Sequence, residues 1–132
     1  MKKDWNKTWN SSTQPRKQRK FRHNAPIHIR RKLMASSLSK ELRTKYKRRS
    51  FPVRVGDKVK VLRGQFKGKL SEIDNVDARN YKIYLKDVHL KKQGGQIPIR
   101  YPLSPSKVQL ITLNLDDKHR IRKLEKNNNV KI

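Results

Sequence analysis

Apolar and polar side chains alternate through the middle of the chain. Val53 and Val55, then Val59 and Val61, are separated by Arg54, Lys58 and Lys60, a period of two that predicts half-buried strands. Gly56-Asp57 and Arg63-Gly64 punctuate this run, and Gly68 follows between Lys67 and Lys69. The pattern predicts a strand, a glycine-cornered basic loop and a return strand closing at Ile73 and Val76. Asp77-Ala78-Arg79-Asn80 reads as a turn. Tyr81, Ile83 and Leu85 mark the next strand, with Val88 and Leu90 continuing it after a kink at Asp87. Lys91 to Gln96 carries Gly94-Gly95 and reads as a hairpin tip. Ile97, Ile99 and Tyr101 form its return, on an edge because of Pro98. Pro102 to Ser106 is a rigid bend, and Val108, Leu110, Leu113 and Leu115 complete the sheet. Short strands with glycine turns predict a small barrel, which hides its sheet edges by curling.

The flanks follow a different pattern. Pro26 to Met34 is a candidate short helix with Ile29 and Leu33 on one face, and Ser39 to Tyr46 is another with Leu38, Leu42 and Tyr46 aligned. Both are too short to stand alone and need the barrel or a partner. Residues 1–24 show no period and are expected to be disordered in the free protein. Trp5 and Trp9 there could contact the protein's own surface or stack on unpaired bases. At the other end Asn114 is a candidate helix cap, with Asp116 and Asp117 in the first turn, Ile121 and Leu124 on the inner face, and Asn127 to Asn129 at the end. The expectation is a mainly β protein in three parts: a basic arm with short helices over 1–52, a barrel over 53–113, and a C-terminal helix and tail over 114–132.

Charge changes the picture most. The 132 residues hold 36 Lys and Arg against 10 Asp and Glu, a formal net charge of +26. Residues 1–52 hold 17 of those cations and 2 acids. Such a field calls for a polyanionic partner. Only 33% of residues are hydrophobic, which excludes a large core. Cysteine is absent, so disulfides and thiolate metal sites are excluded. No apolar run approaches the roughly 20 residues of a membrane span, and the N-terminus lacks the apolar core of a secretory signal. A cytoplasmic protein is expected.

Catalytic chemistry finds no constellation. His23, His28, His89 and His119 are scattered without metal-ligand spacing, and Asp74/Asp77 and Asp116/Asp117 border turns with no general-acid partner. The stretch Gly64-Gln65-Phe66-Lys67-Gly68 lacks the Gly-Lys-Ser/Thr ending of a nucleotide-binding loop. No enzyme, cofactor, metal or small-molecule substrate is expected. Backbone recognition of RNA suits the cations instead, since the deep major groove of double-helical RNA hides base edges from side chains. The candidate contacts are Arg16, Lys17, Arg19, Lys20 and Arg22; His28, Arg30, Arg31 and Lys32; Lys47, Arg48 and Arg49; and Arg63, Gly64, Lys67, Gly68 and Lys69. The glycines would let main chain adopt positive φ or lie against another chain.

Gly56-Asp57-Lys58-Val59 followed by Arg63-Gly64-Gln65-Phe66-Lys67-Gly68 resembles a KOW motif. Three further blocks, running from Asn24 to Met34, Leu38 to Arg43 and Tyr101 to Val108, resemble one family in order and spacing. It is the KOW-motif family of the large ribosomal subunit, numbered twenty-four in the universal naming, in its archaeal and eukaryotic form. The proline-serine tract resembles archaeal members. The resemblance covers roughly residues 14 to 126. The family usually has glycine where this chain has Ser71 and valine where it has Ile73. The resemblance implies an SH3-like barrel and a structural protein of the ribosome. It also implies binding to large-subunit (23S-type) rRNA, contact with neighbouring large-subunit proteins, a part in starting assembly, and a place near the nascent-peptide tunnel exit. A KOW-type transcription elongation factor is the alternative, although such proteins usually carry an α/β domain for which residues 1–52 are too basic. A chromatin-type DNA binder would explain the charge but not the ordered blocks.

Overall fold

The alternation at Val59 and Val61 becomes a strand whose valines are fully buried while Lys58 and Lys60 face solvent. The computed structural model describes residues 4–95 and 97–125. In chain order the strands are β1 (Ala35–Leu38), β2 (Ser50–Pro52), β3 (Lys58–Val61), β4 (Leu70–Asp77), β5 (Lys82–Leu85), β6 (His89–Leu90), β7 (Ile99–Arg100) and β8 (Val108–Thr112). The helices are α1 (Pro15–Asn24), α2 (Ile27–Leu33), α3 (Lys40–Tyr46) and α4 (Lys118–Glu125).

A six-stranded mixed sheet runs β2-β1-β8-β3-β4-β5, and β6 and β7 form a separate two-stranded ribbon. The pairing is antiparallel except between β1 and β8, where Ser37 and Leu38 lie beside Gln109 and Leu110 in parallel. β4 pairs with β3 through its first half and with β5 through its second, and the register shifts between Ile73 and Asn75. Such a shift bends a strand and lets a sheet curl around its core. The core is one cluster that includes Leu38, Phe51, Val59, Ile73, Ile83, Val108, Leu110 and Leu124. This is the small, mainly β domain with a basic helical arm and a short C-terminal helix that the sequence leads one to expect.

The structure departs from the sequence pattern at several points. The strand expected at Val53–Val55 lies earlier, at β2, and Val55 is 48% exposed at a turn. Residues 35–38 contribute a strand that no alternation announced, because Ala35-Ser36-Ser37-Leu38 is short and small. Ser36 is nevertheless buried, and its hydroxyl donates to the Pro105 carbonyl at 2.6 Å. Met34, Leu38, Tyr46 and Phe51, all before residue 53, belong to the core. Residues 15–24 are helical rather than irregular, and a 3-10 helix at Lys7–Ser11 precedes them. Leu33, which shares a face of α2 with the half-buried Ile29, is 37% exposed. The N-cap of α4 is Asp117, whose Oδ1 accepts the His119 N–H at 2.8 Å; Asn114 instead caps a turn by accepting the Asp116 N–H at 3.0 Å. Ile121 is only half-buried, and Arg120 shares the inner face of α4 with Leu124. The helix end expected at Asn127 to Asn129 lies outside the described residues, as does Gln96 of the hairpin tip. The described part of that tip turns through Gly94, at φ 76°.

Candidate nucleic-acid interface

α1 begins with Pro15 in its first turn, where a missing N–H costs no helix bond, and ends with Arg22 and His23, cations favoured at a helix C-terminus. Its only buried residue is Phe21. Trp5 packs on Phe21 with ring centroids 5.3 Å apart, and the indole Nε1–H donates to the Phe21 carbonyl at 3.1 Å. Arg16, Lys17, Arg19, Lys20 and Arg22 are all exposed. Spaced three and four apart on one short helix, like charges of this kind repel. Lys20 lies 4.8 Å from the centre of the Trp9 ring, which gives that tryptophan a partner within the chain.

On α2, His28, Arg31 and Lys32 are exposed, whereas Arg30 turns inward. Its Nε–H donates to the Ala25 carbonyl at 2.7 Å, Nη1–H to Arg79 at 2.6 Å, and Nη2–H to His23. Lys47 ends α3 in the left-handed region at φ 48°, and Arg49 is exposed beside it. Arg48 is half-buried with its guanidinium 5.9 Å from the Phe51 ring, and its Nε has no hydrogen-bond partner.

The basic loop between β3 and β4 is built by glycine. Gly64 and Gly68 sit at φ 98° and 87°, and a Cβ at either would meet nothing within 4 Å. Positive φ, not crowding within the chain, is therefore the reason for glycine here. The Gly68 N–H donates to the Val61 carbonyl at 2.8 Å and the Lys67 N–H to Gly64 at 3.1 Å, closing the loop on itself. Phe66 anchors it against Tyr101, ring centroids 5.1 Å apart. Arg63 and Lys67 are left exposed, while the Lys69 ammonium donates to the Asp87 carbonyl. Ser71, where the family usually has glycine, is not at this corner. It lies buried on β4 and donates its hydroxyl to Asp87 Oδ2 at 2.7 Å.

These cations do not form one group, and the exposed Lys47 and Arg49 at the end of α3 stand apart from both the loop and the arm. The loop precedes β4, whereas the α1–α2 joint packs against the turn that follows β4, where Arg30 meets Arg79 and Tyr81 meets Arg22. The strand between them spans eight residues and carries the register shift between Ile73 and Asn75. The turn itself is fixed by Asp77, which accepts from the N–H groups of Arg79 at 2.9 Å and Asn80 at 3.1 Å and from the Asn80 side chain at 2.7 Å. Those bonds, the Asn80 side chain foremost, hold the Asp77 carboxyl below its ordinary pKa.

The acids in the barrel are turned to internal use. Glu72 pairs with Lys86 at 3.0 Å, Asp74 with Arg100 at 2.9 Å, and Asp57 with Arg120 at 2.7 Å. Asp117 pairs with Arg54 at 2.8 Å, and its carboxyl is lowered first by the His119 N–H and then by Arg54. Sequence reasoning missed Arg79, Tyr81 and the Asp57–Arg120 pair. Each depends on a contact between segments distant in the chain, and no local pattern marks it. An open cleft of about 650 Å³ lies between α2, the β2–β3 connection and α4; Phe51, Val53 and Val55 are among its walls, and Arg31, Arg54 and Lys123 among its basic residues. Among the described residues no group of three or more His, Cys, Asp or Glu could hold a metal ion, and no helix is long and apolar enough to cross a membrane.

Comparison with known proteins adds the context this geometry lacks. Residues 12–127 match the family that groups eukaryotic ribosomal protein L26 with archaeal ribosomal protein L24. The chain is 51% identical over 115 residues to the large ribosomal subunit protein uL24 of Methanocorpusculum labreanum, covering 87% of this chain and 94% of that protein. It is 47% identical over 117 residues to the protein of the same name from Nanoarchaeum equitans, covering 89% and 78%.

Proposed function

This chain belongs to the family of eukaryotic L26 and archaeal L24 ribosomal proteins, and from that premise we propose that it grips large-subunit ribosomal RNA through the phosphate backbone. The family is structural and not enzymatic, and its place is the ribosome in the cytoplasm. The observation that carries the reading is the surplus of cations. If every one of the 10 acids neutralised one of the 36 Lys and Arg, a charge of +26 would remain. That surplus is exposed on α1, on α2 and on the loop before β4, where each cation can release a counterion from a phosphate.

The basic loop and the α1–α2 arm, at opposite ends of β4, suit a protein that bridges two RNA segments. The 23S-type RNA is the partner, and neighbouring large-subunit proteins meet the remaining surface. The family resemblance further supports a part in starting subunit assembly and a place beside the exit of the nascent-peptide tunnel. The test is binding to large-subunit RNA across a salt series, together with sedimentation of lysate through sucrose. If about six phosphates are contacted, affinity falls roughly a thousandfold between 50 and 200 mM salt. A flat salt response, or absence from large subunits sedimented at low salt, would sink the reading.

A further inference from the structure

The C-terminal end of α1 is finished by side chains from elsewhere in the chain. The last carbonyls of a helix lack intrahelical partners, and here Pro26 sharpens the shortage. It stands four residues after Arg22 and has no N–H to offer the Arg22 carbonyl. The Tyr81 hydroxyl takes that place, donating to Arg22 at 2.7 Å. Arg30 Nη2 donates to the His23 carbonyl, and Nη1 of the same guanidinium donates to Arg79 on the barrel. The Arg22 and Arg30 guanidinium carbons lie 5.0 and 5.7 Å from the Tyr81 ring centre, within cation–π range. Tyr81 itself sits at φ 55°, an uncommon conformation for a bulky residue that persists where its surroundings over-determine it.

We propose that Tyr81 and Arg30 are positioning residues for RNA binding: they latch α1 onto the turn between β4 and β5, so that its cations meet the RNA as a preformed array. The inference rests on the RNA reading above. A ten-residue helix of repelling cations is marginal alone. Held by the latch, it is ordered before contact, and binding does not have to order it.

The experiment compares wild type, Tyr81→Phe and Tyr81→Leu, with Arg19→Ala/Lys20→Ala as the charge control. The probe is large-subunit RNA stripped of protein, bound across a salt series, and tryptic cleavage within residues 15–24 is followed in the free protein. Leucine keeps a similar cost at positive φ but loses both hydroxyl and ring. Tyr81→Leu should speed cleavage of α1 and weaken binding about tenfold at every salt concentration while leaving the salt slope unchanged, because no phosphate contact is removed. Tyr81→Phe, which keeps the ring, should retain most of the affinity. The charge control should make the slope shallower. Wild-type affinity in Tyr81→Leu, or unchanged cleavage of α1, would overturn the latch. Failure of wild type itself to bind RNA would instead overturn the RNA reading and, with it, the purpose assigned to the latch.

Discussion

Arg120 grips Asp57 at two points: Nη1–H donates to Oδ1 and Nη2–H to Oδ2, both at 2.7 Å, with side chains 6% and 0% exposed. The same carboxylate accepts the N–H groups of Arg54 at 2.8 Å and Asn114 at 2.9 Å, and Arg120 also donates to the carbonyls of Asn114 and Pro52. One pair thus joins the β2–β3 connection, the exit of β8 and α4. Removing one partner of a buried pair strands a charge. Arg120→Met should therefore cost about 3–5 kcal/mol in equilibrium urea unfolding. A loss below about 1 kcal/mol would show that water reaches Asp57 and that the pair is not a fastener.

The glycines should separate by their surroundings. Gly64→Ala meets open space and is opposed only by its φ, at about 1–2 kcal/mol. Gly56 has φ 87°, and a Cβ there would lie 2.8 Å from Asn114 Nδ2, on a side chain already bonded to Asp116. Gly56→Ala should therefore lower the thermal midpoint more than Gly64→Ala. The reverse order would mean that the basic loop contributes more to stability than its exposure suggests.

Stability should have an acid limb traceable to Asp117. Its folded pKa lies below the ordinary 3.8, so its contribution is complete above that value and is lost as pH falls through the folded value. Asp117→Asn keeps a capping oxygen but does not titrate. The melting temperature of the variant should lie below that of wild type at neutral pH, and the gap should narrow as pH drops beneath 3.8. A gap that is constant with pH would remove Asp117 from the acid response.

The loop before β4 should matter for binding and not for folding. Arg63→Ala combined with Lys67→Ala removes two exposed cations, which changes stability by no more than about 0.5 kcal/mol. Binding to large-subunit RNA should weaken, and the salt slope should become shallower by up to about two contacts. Unaltered affinity and slope would move the interface to α1 and α2.

What was legible in the chain was what repeats locally. Val59 and Val61, then Ile83 and Leu85, alternate because one face of each strand is buried, and Gly64 and Gly68 mark corners because no other residue takes their φ readily. α1 escaped notice because Phe21 is its only buried side chain, too little to make a period. Val55 misled for the opposite reason: it fits the alternation, yet the chain turns at Gly56 and leaves it exposed. The candidate cations were visible as types, but their standing was not. Arg30 and Arg22 look alike in sequence, and only the fold shows that the first is bound by its own chain to three carbonyls.

The parallel pairing of β1 with β8 sets an order of events during synthesis. The strand that lies between β1 and β3 is the last of the sheet to be made, and Ser37 must wait for Gln109, about 70 residues later. At about 5–20 residues per second, that is a delay of roughly 4–15 seconds. Through that interval the cations of α1 and α2 have emerged while the sheet they lean on is still open. Long-range closure of this kind is slow for entropic reasons, and here it is the last step that joins the N-terminal strand to the rest of the sheet.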